Sequence, residues 1–264
     1  MTAERQLVAA GRTDVGRERP HDEDAIHIDE EAGLLVLADG MGGYNAGEVA
    51  SRLAVESVAE VVRSATELDR GPRLLEEAIV HANRSIRDAA ADNSEHEGMG
   101  TTIVAGLLCE GSISIAHVGD SRLYRYRDGK LERMTTDHSL TQELLEQGYY
   151  TQAEARRANN RHVVTRALGV RDSVEVASRL EPVAEGDIFL LCSDGLTDLV
   201  DDHSIQHTLK AAGEDLEQTT EQLIERANAL GGHDNIGVII GRVAGREGGR
   251  LTSVRARIAG LLGR

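Results

Sequence analysis

Aspartates in this 264-residue chain stand where they could hold cations together. Asp39 and Asp194 each follow an apolar run with strand character, and Asp234 comes just before another such run. When one strand ends in aspartate and its antiparallel neighbour begins with it, both carboxylates lie at the same edge of a sheet. Crowded carboxylates repel each other unless cations occupy the site, so we predict a metal centre at such an edge.

The first hairpin adds an acidic neighbour. Two runs with strand character, 25–29 and 34–38, flank the turn sequence Glu30-Glu31-Ala32-Gly33. A turn centred between positions 31 and 32 places position 24 opposite position 39. We therefore expect Asp24 and Asp39 to be neighbours.

The side-chain types favour Mg²⁺ or Mn²⁺. Oxygen ligands with room for water suit these ions, and no Cys/His cluster of the zinc type accompanies the aspartates. Gly40 lets the backbone approach closely, so its carbonyl oxygen could join the ligands. Two such ions activate water and stabilise a phosphoryl transition state. Arg19, five residues before Asp24, could bind the phosphate bidentately.

Hydrophobic periodicity predicts the elements that position these residues. Helices grouped between runs of strands favour a layered α+β fold over a parallel doubly wound sheet. Residues 148–168 are polar and irregular. The predicted strands are 6–13, 25–29, 34–38, 102–108, 112–118, 123–127, 174–179, 188–192 and 236–243. The predicted helices are 49–65, 73–90, 139–146, 205–209 and 216–230.

The composition argues against several classes of partner. The formal net charge of −16 and the pI of about 5.0 disfavour nucleic acid, and also binding of the protein body to anionic lipid. No apolar run approaches the roughly 18 residues of a membrane span, and no apolar signal-peptide segment follows the polar residues 1–6. Cys109 and Cys192 lie in apolar stretches and are expected to be buried, reduced thiols. We therefore expect a cytoplasmic protein.

Residues 245–264 form a basic tail on this acidic chain. They include five arginines and one glutamate. Apolar residues at positions 251, 254, 258, 261 and 262 fall on one face of a helix. Two interpretations stay open: a helix packed on the protein surface, or an amphipathic helix that docks on a partner or a membrane surface.

An ordered set of motifs resembles the metal-dependent serine/threonine protein phosphatases of the PPM (type 2C) family, in its bacterial and archaeal form. A single Asp-Gly pair would carry little weight, but the whole set occurs in the family's order between Thr13 and about Val243. The motifs are Thr13-Asp14-Val15-Gly16-Arg17, Arg19-Pro20-His21-Asp22-Glu23-Asp24, Ala38-Asp39-Gly40-Met41-Gly42-Gly43, Gly98-Met99-Gly100-Thr101-Thr102, Val118-Gly119-Asp120-Ser121-Arg122, Asp137-His138-Ser139, Ser193-Asp194-Gly195-Leu196 and His233-Asp234-Asn235.

This resemblance implies the architecture of the whole chain. The expected fold is a four-layer α-β-β-α sandwich, in which helix pairs flank two mainly antiparallel sheets. One phosphatase domain would cover residues 1–244, with a flap at about 148–168 that influences substrate access. The basic tail at 245–264 would follow it.

The resemblance also implies a centre of two Mn²⁺ or Mg²⁺ ions with a third, weaker site. Asp39 would bridge the two ions. Asp194 and Asp234 would also hold the first ion, and the Gly40 carbonyl would hold the second. Asp120 together with Asp194 matches the third site of bacterial members.

Residues around the ions are implied in the same way. Arg19 matches the family's phosphate-binding arginine, and Glu23 and Asp24 match an acidic pair that acts near the second ion through water. Two positions depart from the pattern. Bacterial members usually have asparagine at the position of Asp22, so we assign it no role. Met41 occupies the place of a histidine proposed as general acid in eukaryotic members, so the leaving group must be protonated from elsewhere.

The implied function is hydrolysis of phosphoserine and phosphothreonine in proteins, by a metal-bridging hydroxide that attacks phosphorus in line. The partners would be substrates of serine/threonine kinases in signalling, and the protein would act as a monomer. A non-catalytic, phosphatase-like sensor or regulatory module is the first alternative, which the intact aspartates argue against. Structural Ca²⁺ binding in a secreted protein is the second, which the lack of an EF-hand loop and of a signal peptide argues against. His21 and His138 are expected to be hydrogen-bonded structural residues.

Overall fold

The structure, a computed structural model, describes residues 5–42, 46–66, 71–155, 158, 160, 162–211 and 215–245. The tail at 246–264, for which two interpretations stay open, lies outside the described residues. The strands are β1 (Arg5–Asp14), β2 (Asp24–Asp29), β3 (Leu34–Met41), β4 (Gly100–Thr101), β5 (Ile103–Cys109), β6 (Ser112–Val118), β7 (Arg122–Arg127), β8 (Lys130–Arg133), β9 (Ala177–Pro182), β10 (Ile188–Cys192) and β11 (Ile236–Gly245).

The helices lie mainly in two groups along the chain. They are α1 (Ala46–Ser64), α2 (Pro72–Asp92), α3 (Leu140–Glu146), α4 (Gln152–Ala155), α5 (Asp194–Thr197), α6 (Asp202–Ala211) and α7 (Leu216–Ala229), with a short 3₁₀ helix at Ser94–His96. None of the helices within the described residues is both long and apolar enough to cross a membrane.

The strands form two sheets whose described pairings are antiparallel. One sheet has the order β1-β11-β10-β7-β8, and the other has the order β2-β3-β5-β6-β9, with β4 paired to β3. Strand β10 is buried along its whole length because it lies in the middle of its sheet with helices on one face and the second sheet on the other. Its continuous apolar sequence reflects burial on both faces.

Three hydrophobic clusters define four layers. The first packs α1 and α2 on the sheet that contains β3, β5 and β6. The second packs α5, α6 and α7 on the sheet that contains β10 and β11. The third fills the space between the two sheets, with Leu37, Phe189 and Ile239 at less than 1% exposure. The predicted α-β-β-α sandwich is confirmed.

The sequence of helix α1 explains why this helix packs on the sheet of β3, β5 and β6. Ala50, Ala54 and Val58 recur every four residues and are fully buried against the sheet, while polar side chains cover the outer face. Burying this apolar face contributes more to the stability of the helix than its intrinsic propensity does.

The structure differs from the sequence expectations in several details, including the unpredicted short elements β4, β8, α4 and α5. Strand β3 continues through Asp39 and Gly40 instead of ending before them, because β4 pairs with Gly40 and Met41. The strand expected at 174–179 lies at 177–182, where its pairing with β6 fixes it as an edge strand. Both thiols are reduced, but only Cys192 is buried, since Cys109 is partly exposed at the end of β5.

Candidate metal centre

Two strands of one sheet bring the first two aspartates together. Asp24 pairs with Asp39 across β2 and β3, so the register predicted from the hairpin turn is confirmed. Asp234 lies two residues before β11, and Asp194 follows β10 after one residue. Strands β10 and β11 are antiparallel neighbours, so their two aspartates meet at one edge of the other sheet. The centre therefore lies at the end of the sandwich where both sheets contribute carboxylates.

The backbone of Asp39 is held on both sides. Its N–H donates to Thr102 Oγ1 at 3.1 Å, and its carbonyl oxygen accepts from the Thr101 hydroxyl at 2.8 Å and from the Thr102 N–H at 2.9 Å. Thr102 Oγ1 also lies 2.6 Å from Ser121 Oγ, next to Asp120. These threonines connect Asp39 to the turn that carries Asp120.

Asp24 has one satisfied and one unsatisfied carboxylate oxygen. Oδ2 accepts a hydrogen bond from Ser193 Oγ at 2.8 Å, while the buried Oδ1 has no hydrogen-bond partner among the described residues. The residue is 8% exposed. Burial first, and then repulsion from Asp22 and Asp234, raises the pKa of Asp24 to about 8. A buried, unpaired carboxylate oxygen is costly, so this position fits a nearby cation or an ordered water.

Asp39 and Asp194 share three charged neighbours, namely Asp24, Asp120 and Asp234. Burial, followed by repulsion from Asp24 and Asp194, raises the pKa of Asp39 well above its usual range. Burial, followed by repulsion from Asp120 and Asp198, raises the pKa of Asp194 in the same way. Each carboxylate makes the ionisation of the others less favourable, and divalent cations would remove that penalty. The residues present therefore fit the oxygen-ligated ions expected from the sequence.

Asp120 lies in a tight turn between β6 and β7. It is 7% exposed, and burial together with repulsion from Asp137 raises the pKa of Asp120 to about 7. The preceding Gly119 has a φ of +105°, and a Cβ atom there would lie 2.6 Å from Thr102 Cβ. Only glycine accommodates both the backbone conformation and the close approach.

Residues after β8 hold this turn and the start of β7 in place. Gly119 N–H donates to His138 Nδ1 at 3.1 Å, and His138 N–H donates to the Gly119 carbonyl at 3.0 Å. Arg122 binds both carboxylate oxygens of Asp137, at 3.0 Å from Nε and 2.7 Å from Nη2. His138 is thus the hydrogen-bonded structural residue expected from the sequence. The same Asp137 also raises the pKa of Asp120.

Arg19 extends into the acidic cluster. Its Nη2 lies 2.8 Å from Asp234 Oδ2, and both side chains are more than a third exposed. An ion pair of this exposure contributes little to stability. The guanidinium is therefore held beside the cluster by a weak contact that an anionic ligand could replace.

Asn235 is the main functional position that the sequence analysis missed. Its Nδ2 donates to the carbonyl oxygens of Val15 and His21, at 3.0 and 2.9 Å, and its Oδ1 accepts from the Glu23 N–H at 2.9 Å. These bonds fasten the loop that carries Arg19 and Glu23 to the start of β11. The signal in the sequence was its place in the motif His233-Asp234-Asn235, to which no role was assigned.

Asp22 and Gly40 shape the backbone next to Asp24 and Asp39. Asp22, which received no role, accepts a hydrogen bond from the Asp24 N–H at 3.1 Å and thereby shapes the start of β2. The Gly40 N–H donates to the Glu23 carbonyl at 3.0 Å, and a Cβ at Gly40 would collide with the Gly47 carbonyl oxygen. Close packing of three backbone segments thus determines the position of the Gly40 carbonyl.

A groove of about 660 Å³ opens beside the cluster. Asp120 and Asp194 form its inner end, and α3 and the start of α6 form its walls. Its lining includes the polar residues Ser139, Thr141 and Asp198 and also the apolar residues Leu145, Ala155 and Leu199. The groove therefore borders the acidic cluster at Asp120 and Asp194.

The chain resembles a group of characterised bacterial enzymes over most of its length. The family model described as protein phosphatase 2C matches residues 11–231. A serine/threonine phosphatase stp of Listeria innocua is 36% identical over 235 residues, which is 87% of this chain and 93% of that protein. The serine/threonine protein phosphatase PstP of Mycobacterium tuberculosis is 36% identical over 247 residues, which is 94% of this chain and 47% of that protein.

The fold shows the same likeness. The crystal structure of the catalytic domain of a PstP phosphatase, in complex with two manganese ions, matches with a TM-score of 0.83 at 35% identity. The match covers 91% of this chain and all of that domain. Sequence and fold therefore agree over the region that carries the acidic cluster.

Proposed function

The chain belongs to the protein phosphatase 2C family, and we propose that it removes phosphate from phosphoserine and phosphothreonine in proteins with Mn²⁺ or Mg²⁺ as cofactor. The observation that carries this proposal is the cluster of Asp24, Asp39, Asp194 and Asp234, with an unsatisfied carboxylate oxygen, directly beside Arg19. Such a cluster is unfavourable without cations, and an arginine beside it suits a phosphate monoester.

The proposed ligands follow from these positions. Asp39 would be shared by two ions, Asp194 and Asp234 would complete the first, and the Gly40 carbonyl would serve the second. Asp120, with Asp194, would hold a third ion. When bound, the ions supply an activated water molecule and offset negative charge on the phosphoryl oxygens.

The residues around the ions have separate tasks. Glu23 and Asp24 would orient water near the second ion, since Asp24 retains an unsatisfied acceptor. Asp234 would hold Arg19 less strongly if it also held a cation, and the guanidinium would then be available to bind two phosphoryl oxygens. Met41 has no titratable group, so the proton for the departing serine or threonine oxygen comes from another donor.

The alternative of a non-catalytic sensor predicts that one or more of the ligand aspartates would be lost. Asp39, Asp194 and Asp234 are all present and lie at one end of the sandwich. We propose further that the substrates are phosphoproteins made by serine/threonine kinases and that the protein acts as a monomer. The domain limits at 1–244 and the cytoplasmic location stay predictions.

The direct test is hydrolysis of phosphopeptides by the pure protein. Matched peptides with phosphoserine, phosphothreonine or phosphotyrosine are incubated with Mn²⁺, with Mg²⁺ or with a chelator. We expect release of phosphate from the first two peptides with metal, and none with chelator. Activity that survives the chelator contradicts the metal mechanism, and no activity with either ion favours the sensor.

Arg19→Lys sharpens the same assay. Lysine keeps the positive charge but cannot bind two oxygens in the bidentate manner of arginine. We expect KM for the phosphopeptide to rise while metal affinity changes little. Arg52→Lys on helix α1 is the matched control, because Arg52 is exposed and only its weak pairing with Glu48, at 3.9 Å, would be affected.

A further inference from the structure

Two apolar side chains lie side by side next to the acidic cluster, at the end of β3. Side chains alternate along a strand, so Met41 lies on the same face of β3 as Asp39. Strand β4 places Gly100 opposite Met41. A Cβ atom on Gly100 would lie 3.5 Å from Met41 Cγ and 3.1 Å from Val170 Cγ2. The side chains of Met41 and Val170 therefore lie next to each other above this glycine.

Val170 is held in place although it is 60% exposed. The Gly169 N–H donates to Asn83 Oδ1 at 2.8 Å, and Asn83 Nδ2 donates to the Arg171 carbonyl at 3.1 Å. Asn83 belongs to α2 and is 1% exposed. A buried side chain thus binds the backbone on both sides of Val170, so the loop presents the valine to solvent at a fixed place.

The same loop is connected to the backbone of Asp39. The Leu168 N–H donates to the Thr101 carbonyl at 2.9 Å, and the Thr101 N–H donates to the Leu168 carbonyl at 3.2 Å. The Thr101 hydroxyl in turn donates to the Asp39 carbonyl at 2.8 Å. A short series of hydrogen bonds therefore sets the position of Val170 relative to the acidic cluster.

We propose that Met41 and Val170 form a subsite for an apolar side chain next to the phosphorylated residue of a protein substrate. The inference rests on the proposed function and adds a preference in the sequence of its substrates. An extended peptide advances by about 3.5 Å per residue, so the neighbours of a phosphoserine bound at the cluster come within reach of side chains beside Asp39. An apolar side chain that covers Met41 and Val170 removes apolar surface from water on both partners.

The opposing interpretation is a valine that is exposed without a partner. Single exposed apolar residues are common on protein surfaces. On that interpretation, a substitution of Val170 changes no preference for peptide sequence. A second alternative is that the pair is covered by another copy of the chain. The three interpretations predict different effects of the same variant.

Hydrolysis of paired phosphopeptides by the full chain with Mn²⁺ decides between them. Each pair carries leucine or asparagine at one of the two positions before or after phosphoserine. We expect leucine at one position to raise kcat/KM about fivefold, mainly through KM, as for burial of roughly one methylene group. In Val170→Ser the ratio should fall below about two. Equal rates for leucine and asparagine at every position in the wild type overturn the proposal, as does an equal loss on all peptides in Val170→Ser.

Binding of non-hydrolysable peptides measures the subsite without turnover. The same peptides are labelled with a fluorophore and carry the phosphonate analogue of phosphoserine. With Mn²⁺, fluorescence anisotropy should give a dissociation constant about fivefold lower for leucine than for asparagine, and similar values in Val170→Ser. A protein with this preference that hydrolyses no phosphopeptide would contradict the function and retain the subsite. A protein that hydrolyses and binds all peptides equally would retain the function and contradict the subsite.

The matched control is Leu180→Ser, because Leu180 is 51% exposed on the edge strand β9. It should leave the ratios of leucine to asparagine unchanged. Sedimentation of the wild type and of Val170→Ser tests the second alternative. A wild-type dimer that Val170→Ser dissociates, together with peptide ratios near one, would assign the pair to contact between copies and overturn the proposal.

Discussion

The two sides of the centre are built from different kinds of structure. We define the strand side as Asp24, Asp39 and Asp234, and the groove side as Asp120, Asp198 and His162. On the strand side, sheet register and neighbouring strand ends set the positions. On the groove side, a turn, a helix end and an irregular segment set them, through side-chain and loop hydrogen bonds. Regular structure thus positions the proposed ligands of the first two ions, and loops position the residues around the proposed third site.

The largest expected difference is in catalysis. Asp39→Asn should lower kcat by about 100- to 1,000-fold or more, the effect of losing a group that stabilises charge in a transition state. Asp120→Asn should lower kcat by about tenfold or less, because it would affect only the proposed third site. The assay is phosphopeptide hydrolysis at saturating Mn²⁺, with the exposed Asp88→Asn as control. Equal losses in the two variants would show that the two sides do not differ.

The second difference concerns pH in the absence of metal. The pKa of Asp24 is raised from 3.8 to about 8 and that of Asp120 to about 7, mainly by burial. Between these pKa values the folded protein keeps protons that the unfolded chain has released. The contribution of Asp24 and Asp120 to the free energy of unfolding is therefore largest below about pH 4, and it falls as the pH rises through about 8. Thermal unfolding with chelator should give a lower Tm at pH 8.5 than at pH 6.

Added metal should remove or reverse this dependence of Tm on pH, because cations favour the ionised carboxylates. A Tm with chelator that stays constant between these two pH values would contradict the electrostatic account. Asp24→Asn should remove the part of the pH dependence of Tm that comes from the strand side. Asp120→Asn removes the groove-side contribution, which should be smaller.

Gly119→Ala tests how tightly the groove-side turn is packed. We expect a loss of about 3 kcal/mol in the free energy of unfolding, because the variant combines a positive φ with a close approach to Thr102. Gly129→Ala is the matched control. Gly129 also has a positive φ, of +78°, but nothing lies within 4 Å of its added Cβ, so about 1 kcal/mol is expected. Urea denaturation measures both, and equal losses would contradict the crowding argument.

Asn235→Ala should lower the free energy of unfolding by about 2 kcal/mol and raise KM for the phosphopeptide. Three hydrogen bonds to the loop of residues 15–23 are lost, and Arg19 is then less well placed. Asn93→Ala, which removes a cap at the 3₁₀ helix, should lower stability without changing KM. An unchanged KM in Asn235→Ala would show that this loop does not position Arg19.

Much of the strand side could be predicted from the sequence because its information is local. Apolar runs, the Glu30-Glu31-Ala32-Gly33 turn and the two-residue alternation of strands were enough to place Asp24 opposite Asp39. The turn at Asp128-Gly129 is equally local, and both residues have the positive φ that such hairpins require. The ordered motifs then indicated the family and its layered fold.

The parts that the sequence did not supply depend on distant segments. Asn235 binds the Glu23 N–H across 212 positions, and β9 is set by its pairing with β6 and not by its own pattern. The pairing of His162 with Asp198 requires the segment after residue 161 to lie against α5. No local periodicity encodes such approaches, because they arise only when separate layers pack.

The sequence by itself therefore determined which carboxylates stand near strand ends, how the first hairpin pairs, and which family the motifs resemble. Tertiary structure alone decided which of these groups share one space, which loop hydrogen bonds hold Arg19 and Asp120, and that His162 lies beside the aspartates. The physical reason is that turn chemistry and side-chain alternation act within a few residues. The raised pKa values at the centre instead come from burial and from charges brought together across the whole chain.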